Sequence, residues 1–154
     1  MFIEALSRLL TDREALLEDG RLIYAELSDT AAIDSEIEDL LRELDVVAGL
    51  IRGCVNENAT HAIDQEAYIR RYDTLAEKYE KLQHRYDTLQ KKRDRRLQQA
   101  DRLSGFLFAV KELDTLDLTF TPALWHATVD HIIVHYDGRL MFRFRNGGEV
   151  EVRL

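Results

Sequence analysis

A repeat of tyrosine and leucine at heptad spacing constrains the fold of this chain more than any other feature. The tetrapeptide Tyr72-Asp73-Thr74-Leu75 recurs two heptads later as Tyr86-Asp87-Thr88-Leu89. An apolar stripe that repeats every 3.5 residues needs a partner helix, because one helix cannot bury its own stripe. The pattern therefore predicts a long coiled coil, and it favours a role in holding molecules together over a catalytic one.

The predicted seam has two sides, each carried by one helix. On the tyrosine-rich helix its members are Tyr68, Tyr72, Leu75, Tyr79, Leu82, Tyr86 and Leu89. On the preceding helix they are Ile33, Ile37, Leu40, Leu44, Val47, Ile51 and Cys54. Because Cys54 is the only cysteine, we interpret it as a small buried seam residue in a protein of the reducing cytoplasm.

Charge is unevenly distributed along the chain. The formal net charge is −10 over residues 1–64, +4 over residues 65–113 and −2 over residues 114–154. An acidic first half beside a basic long helix predicts that two helices of one chain pair, with opposite charges flanking the seam. The basic run at residues 91–96 admits two interpretations, a DNA-binding face or a solvated face opposite acidic neighbours. Its interleaved aspartate favours the second.

Three helices are predicted before residue 114, where proline and glycine are rare. The second helix begins with N-cap chemistry at Ser28-Asp29-Thr30, or with a capping box formed by Ser35 and Glu38. The third, from about Asp64 to Leu113, is long enough to pair first with the second helix and then with the first helix. The predicted domains are a base helix at residues 1–28, a coiled-coil hairpin at 29–113 with its tip at about 56–64, and a C-terminal part at 114–154.

The last forty residues change from helical to strand periodicity. Thr121 followed by Pro122 predicts the start of a short helix that ends near Val129. Asp137-Gly138 and Asn146-Gly147-Gly148 then separate three runs of alternating apolar residues, which predicts an antiparallel three-stranded meander. The runs are Ile132, Val134 and Tyr136; Leu140, Phe142 and Phe144; and Val150, Val152 and Leu154.

The predicted fold class is therefore mainly α with a small β part. A long antiparallel coiled-coil hairpin stands on a three-helix base, together with the short helix and the meander. The short helix and the base of the coil are expected to cover the apolar face of the meander, because three strands are about the minimum that stand alone.

The sequence contains no recognisable catalytic constellation: it has no glycine-rich phosphate loop, no Cys-x-x-Cys and no His-Glu-x-x-His. We therefore predict no catalytic, cofactor-binding or metal-ligating residue, and no enzyme activity. Histidines at 126, 131 and 135 could ligate a metal, but solvated strand histidines are the favoured interpretation. With no long apolar run and no signal peptide, we expect a cytoplasmic protein that does not enter a membrane.

Arginines on the predicted second strand are candidate DNA contacts. Arg139, Arg143 and Arg145 form a modest basic patch on a β-ribbon, a shape that can lie along a DNA backbone. Glu149 and Glu151 on the next strand offer the alternative of cross-strand ion pairs.

Taken together, these segments resemble the C-terminal region of large serine recombinases, the phage integrases and conjugative-transposon resolvases of Gram-positive bacteria. The resemblance covers essentially the whole chain and rests on patterning and the helix-to-meander ending. It is carried by residues 2–7, the tip at 56–59, the run from Tyr68 to Leu75, the turn at 120–125 and the closing stretch at 129–149.

The resemblance implies a function in DNA recombination. In that family a coiled-coil hairpin is inserted in a zinc-ribbon DNA-binding domain and contacts other subunits through its tip, which controls synapsis and the direction of recombination. Here the tip contacts would be Asn56, Asn58, Thr60 and His61, and residues 131–154 would complete the ribbon. DNA would be bound through the full-length protein.

The resemblance also implies what this chain lacks. The catalytic serine and the zinc-binding cysteines of the family would lie upstream of Phe2, so the chain would be a non-catalytic fragment with no cofactor of its own. Without the upstream ribbon, the meander's apolar face would be partly uncovered, and a homo-oligomer would hide it. The alternative is a stand-alone coiled-coil structural or adaptor protein that binds a protein partner.

The seam is directly testable. Leu82→Asp places a charge in the middle of the predicted seam, and we expect a sharp loss of helicity and of thermal stability, measured by circular dichroism. An unchanged melting curve would show that Leu82 faces water and that the assigned register is wrong.

Overall fold

The computed structural model describes residues 1–114 and 117–154; residues 115 and 116 of the predicted C-terminal part lie outside this description. The predicted mainly α fold with a small antiparallel sheet is confirmed. Two compact units form: a hairpin unit of residues 30–95, and a base unit of residues 1–29 and 96–154. The elements are α1 (Phe2–Leu9), a 3-10 turn (Leu10–Asp12), α2 (Arg13–Ser28), α3 (Ala31–Thr60), α4 (Gln65–Glu112), α5 (Pro122–Thr128), β1 (Val129–Val134), β2 (Arg139–Phe144) and β3 (Glu149–Arg153).

In the hairpin unit, α3 runs antiparallel to the first part of α4. Ion pairs join residues from successive levels of the two helices, from Glu57–Arg71 near the turn to Glu36–Arg85 further along. The α3 side of the seam is buried apart from Ile51, which is half-buried, whereas the α4 side is half-buried and Tyr72 is slightly more exposed. Helix α3 starts after Thr30, and Ser35 and Glu38 lie inside it.

The predicted single helix at residues 1–28 is wrong, because the chain breaks at Leu10–Asp12. The Asp12 carboxylate accepts a hydrogen bond from the Ala15 N–H (3.1 Å) and so caps the start of α2. The break lets α1 pack on the sheet, where the Arg8 guanidinium donates to the Glu151 carbonyl of the edge strand β3 (2.9 Å).

In the base unit, α2 lies antiparallel to the last part of α4, as the sequence predicts. At the C-terminal end of each helix, a carbonyl accepts a hydrogen bond from an arginine of the other helix. Arg13 of α2 donates to the Lys111 carbonyl (2.5 Å), and Arg96 of α4 donates to the Glu26 carbonyl. These arginines satisfy carbonyls that have no partner within their own helix. At Gly20 an added Cβ would lie 2.4 Å from a Leu107 methyl, so the absence of a side chain permits close approach.

The sheet is an antiparallel meander in the order β1-β2-β3. A register shift between Val129 and His131 puts Val129 and Ile132 on the buried face. Val134 pairs with Leu140 and so lies on the same face as Ile132, as the predicted alternation requires, but Val134 is exposed and the exposed Tyr136 lies beyond the end of the strand. Gly138 and Gly147, in the two turns, have φ of +84° and +86°, a conformation that favours glycine.

One core fills the base unit. Phe142, Phe144 and Val152 of the sheet pack against residues of α1, α4 and α5, including Phe2 and Phe106. Aromatic contacts add to this burial, because the Phe2 ring centroid lies 5.1 Å from that of Trp125. Helices of the same chain therefore cover these side chains, whereas Val134 and Leu154 of the predicted apolar runs are exposed.

Two helical glycines of the base unit, the buried Gly20 and the exposed Gly105, make a matched test. A Cβ at Gly105 would meet nothing within 4 Å, so Gly105→Ala should stabilise the fold by about 0.5–1 kcal/mol through helix propensity. Gly20→Ala should gain less or destabilise, because its methyl displaces Leu107. Urea unfolding measures both, and equal gains would contradict the close approach at Gly20.

Candidate functional site

Acidic and basic side chains pair along one side of the hairpin unit, which we call the charged flank. It is formed by Glu36–Arg85, Glu43–Lys78 (3.4 Å) and Glu57–Arg71 (2.8 Å). On both helices the partners recur at heptad spacing, which is the pattern predicted from the uneven charge of the sequence. Exposed ion pairs each contribute about 0–1 kcal/mol, so they select the register more than they stabilise it.

Leu50 interrupts the charged flank. It lies seven residues from both Glu43 and Glu57, where a glutamate would continue the series. It lines a shallow groove with Ala67, Arg70, Arg71, Thr74 and Leu75.

The opposite side of the hairpin unit carries small and branched apolar residues, and we call it the apolar flank. Leu41, Ala48 and Val55 recur at heptad spacing on α3, and Ile69 and Ala76 do so on α4. Leu41, Val55 and Ile69 are 47%, 45% and 53% exposed. Unlike the seam, this stripe is not buried between the two helices.

The hairpin tip is shorter than the sequence predicts. Helix α3 continues through Asn56 and Asn58 to Thr60, and the turn is confined to residues 61–64. Two local hydrogen bonds lie at this end of the helix: the Thr60 hydroxyl donates to the Asn56 carbonyl (2.8 Å), and the Gln65 amide donates to Asn58 Oδ1 (2.8 Å). His61 Nδ1 lies 2.8 Å from the Thr60 hydroxyl, in an exposed position.

Close beside this turn, the seam ends in a cavity of about 180 Å³. Buried Cys54 lines it together with Ile63 and Tyr68. The rings of Tyr68 and Tyr72 lie 6.1 Å apart. Cys54 therefore has the structural position that the sequence predicts.

The three arginines predicted to contact DNA are engaged within the base unit. Arg139 pairs with Asp137 (2.6 Å) and Glu151 (3.1 Å), and Arg143 pairs with Glu149. The hydrogen bond from Arg139 holds the pKa of the Asp137 carboxyl below its usual value. Arg145 Nε donates to the Val129 carbonyl (3.2 Å). The cross-strand ion pairs considered from the sequence are therefore present, and DNA contact stays a prediction.

A fourth arginine joins two of them around a cavity of about 330 Å³ in the base unit. Arg102 of α4 lines it with Arg143 and Arg145, beside Asp130. Within the described part of the chain, Arg102 makes no hydrogen bond or ion pair. Sequence reasoning missed Arg102, because only the tertiary structure brings α4 beside the end of β2.

A further cavity, of about 520 Å³, is an open groove between α2 and α4 in the base unit. Its lining is mainly apolar, with Leu17, Tyr24, Leu107 and the exposed Phe108. Charged side chains at its rim carry both signs, including Glu18 and Arg21, which pair with each other.

Histidines and acids do not converge on a metal site in the described residues. Nowhere in 1–114 and 117–154 do three His, Cys, Asp or Glu side chains come together in a metal-binding arrangement. His131 Nδ1 instead lies 2.8 Å from the Asp130 carboxylate. Over the same residues, no helix combines the length and apolarity needed to cross a bilayer.

In comparisons with known proteins, no protein-family model, curated protein or solved structure matches this chain. The family resemblance therefore continues to depend on the residues that suggested it.

Asp34, at the start of α3, provides a test by pH. The Thr30 hydroxyl donates to it (2.7 Å) and Arg93 pairs with it (2.5 Å), and both hold its pKa below the usual 3.8. A depressed folded-state pKa stabilises the fold above the unfolded-state pKa, and this stabilisation is lost as pH falls through the folded-state pKa.

We expect Asp34→Asn to lower the melting temperature at about pH 6, and the difference from the parent protein to shrink towards about pH 2. Asp45→Asn is the control, because Asp45 has no hydrogen bond or ion pair among the described residues. A difference for Asp34→Asn that persists unchanged at low pH would contradict the assigned role of the carboxylate.

Proposed function

We propose that this chain is a non-catalytic part of a site-specific DNA serine recombinase. In this proposal the hairpin unit contacts other recombinase subunits through its tip, and the base unit contributes to DNA binding. The observation that carries it is the two-helix hairpin of residues 30–95, which is closed by a turn of only four residues.

The geometry of the hairpin unit supports a role in contacts between macromolecules. Its tip exposes hydrogen-bonding groups, with Asn56 and His61 both accessible. A long hairpin of this kind presents a narrow end that a second subunit can contact, whereas the cavity beside it is small.

The base unit supports the DNA-binding part of the proposal through Arg102 and Arg145. Guanidinium groups donate to phosphate oxygens, and Arg102 has no partner among the described residues that would compete. Zinc in the resembled family would be bound by upstream cysteines. Cys54, the only cysteine in the sequence, is buried in the hairpin seam.

A stand-alone adaptor is the second candidate, and the apolar flank is the observation that favours it. Exposed leucine, valine and isoleucine at heptad spacing suit a protein partner irrespective of any recombinase. An adaptor of this kind would not need the arginine-lined cavity.

A chimaeric enzyme tests the recombinase proposal. The chain is fused behind a serine-recombinase catalytic core and zinc ribbon, and residues 58–65 are replaced with a short glycine-asparagine turn. We expect the ratio of integration to excision to change by about tenfold or more, equivalent to about 1.4 kcal/mol between the two synaptic complexes. Binding of the enzyme to its DNA site should stay unchanged.

The DNA-binding part of the proposal is tested in the same chimaeric enzyme by the double variant Arg102→Ala, Arg145→Ala. We expect weaker DNA binding and a shallower salt dependence, because each lost phosphate contact reduces the slope by about 1. Unchanged directionality in the tip variant and unchanged DNA binding in the arginine variant would together reject the recombinase proposal in favour of the adaptor.

A further inference from the structure

Acidic residues border the apolar flank of the hairpin unit on both helices. On a helix surface, residues three and four positions apart are neighbours. Of the four such neighbours of Leu41, Ile37 and Leu44 are buried in the seam, whereas Glu38 and Asp45 are exposed.

Helix α4 repeats this arrangement. The neighbours of Ala76 are Tyr72 and Tyr79, which belong to the seam, and the exposed Asp73 and Glu80. Since the charged flank joins the two helices on one side of the seam, the rows at Leu41 and Ala76 meet on the other side. At the level of Leu41 and Ala76, the apolar flank is thus a stripe with an acidic border on each side.

Three of the bordering acids are available to a partner, whereas Glu38 pairs with Arg42 (4.0 Å). Among the described residues, Asp45, Asp73 and Glu80 make no hydrogen bond and no ion pair. On the charged flank, in contrast, the glutamates at 36, 43 and 57 are paired with basic residues of α4. The two flanks of one hairpin therefore differ in both polarity and unsatisfied charge.

The charges decide between two occupants of the stripe. A second copy of the hairpin unit docked through the same flank would bring acidic borders together, and like charges at that distance oppose association. A helix with an apolar stripe bordered by lysine or arginine would bury Leu41, Val55 and Ile69 and also neutralise the borders.

We propose that the apolar flank binds an amphipathic helix with basic borders. From Leu41 to Val55 the stripe measures roughly 21 Å, which matches about four turns of a partner helix. Three residues before Val55, the exposed Arg52 takes the bordering position in place of an acid. Because Arg52 would repel a basic side chain, we expect the partner helix to be neutral or acidic at the end nearest the tip. This interaction goes beyond the proposed function and does not depend on it, because it uses neither the tip turn nor the DNA-binding arginines.

Two synthetic peptides of about 18 residues probe this surface with the full chain. Both carry leucine at two positions of every heptad; one has lysine at the bordering positions and the other has glutamate. We expect the lysine peptide to bind about tenfold or more tightly than the glutamate peptide, with an affinity that falls as salt is raised. Fluorescence anisotropy of the labelled peptides measures both.

The apolar contribution has a closely matched control. Leu41→Ser should weaken binding of the lysine peptide by about fivefold or more. Leu50→Ser should leave it unchanged, because Leu50 is on the same helix and is also 47% exposed but belongs to the charged flank. Melting curves of both variants check that each retains its fold.

The electrostatic contribution is tested in the same way. Asp73→Asn should weaken binding, whereas Asp101→Asn, which makes the same change of charge on α4 in the base unit, should not. Equal binding of the two peptides, or equal effects within either pair of variants, would overturn the proposal. It is also overturned if the chain alone dimerises in sedimentation experiments and Leu41→Ser returns it to a monomer, since a second copy would then be the occupant.

Discussion

Burial of the aliphatic side chains of α3 against the tyrosines and leucines of α4 holds the hairpin unit together. Each fully buried aliphatic side chain contributes about 1.5–3 kcal/mol, whereas each exposed ion pair of the charged flank contributes about 0–1 kcal/mol. The seam therefore supplies the stability and the ion pairs select the register. Both flanks exist only because the seam brings two helices side by side, so the candidate interaction surfaces depend on it.

In the base unit, residues that interrupt apolar periodicity hold the helices together. Arg13 and Arg96 each donate to a carbonyl at the C-terminal end of the other helix, and Gly20 admits Leu107. A pattern of apolar residues alone would count all three positions as defects. The arginines supply hydrogen bonds to carbonyls at the helix ends, and the glycine allows two helix backbones to approach closely. Neither effect depends on apolar character.

Some of the candidate sites could be predicted from the sequence, whereas others required the tertiary structure. The charged flank was predictable, because opposite charges at heptad spacing on paired helices must face each other. The apolar flank follows from the same heptads. Its exposure, however, is known only from the structure, since an additional helix of the chain could have covered Leu41 and Ile69. Arg102 was not predictable as a neighbour of Arg143 and Arg145, because more than 40 residues separate them in the sequence.

By itself, the sequence determined the antiparallel hairpin, the helix start at Thr121-Pro122 and the two glycine turns of the meander. These are local properties, set by side-chain period, capping groups and backbone conformations that glycine adopts. Only the tertiary structure decided the break before Arg13 and the shifted register at the start of β1. Both arise because α1 and the sheet share one core, and which face must be buried there depends on partners distant in the chain.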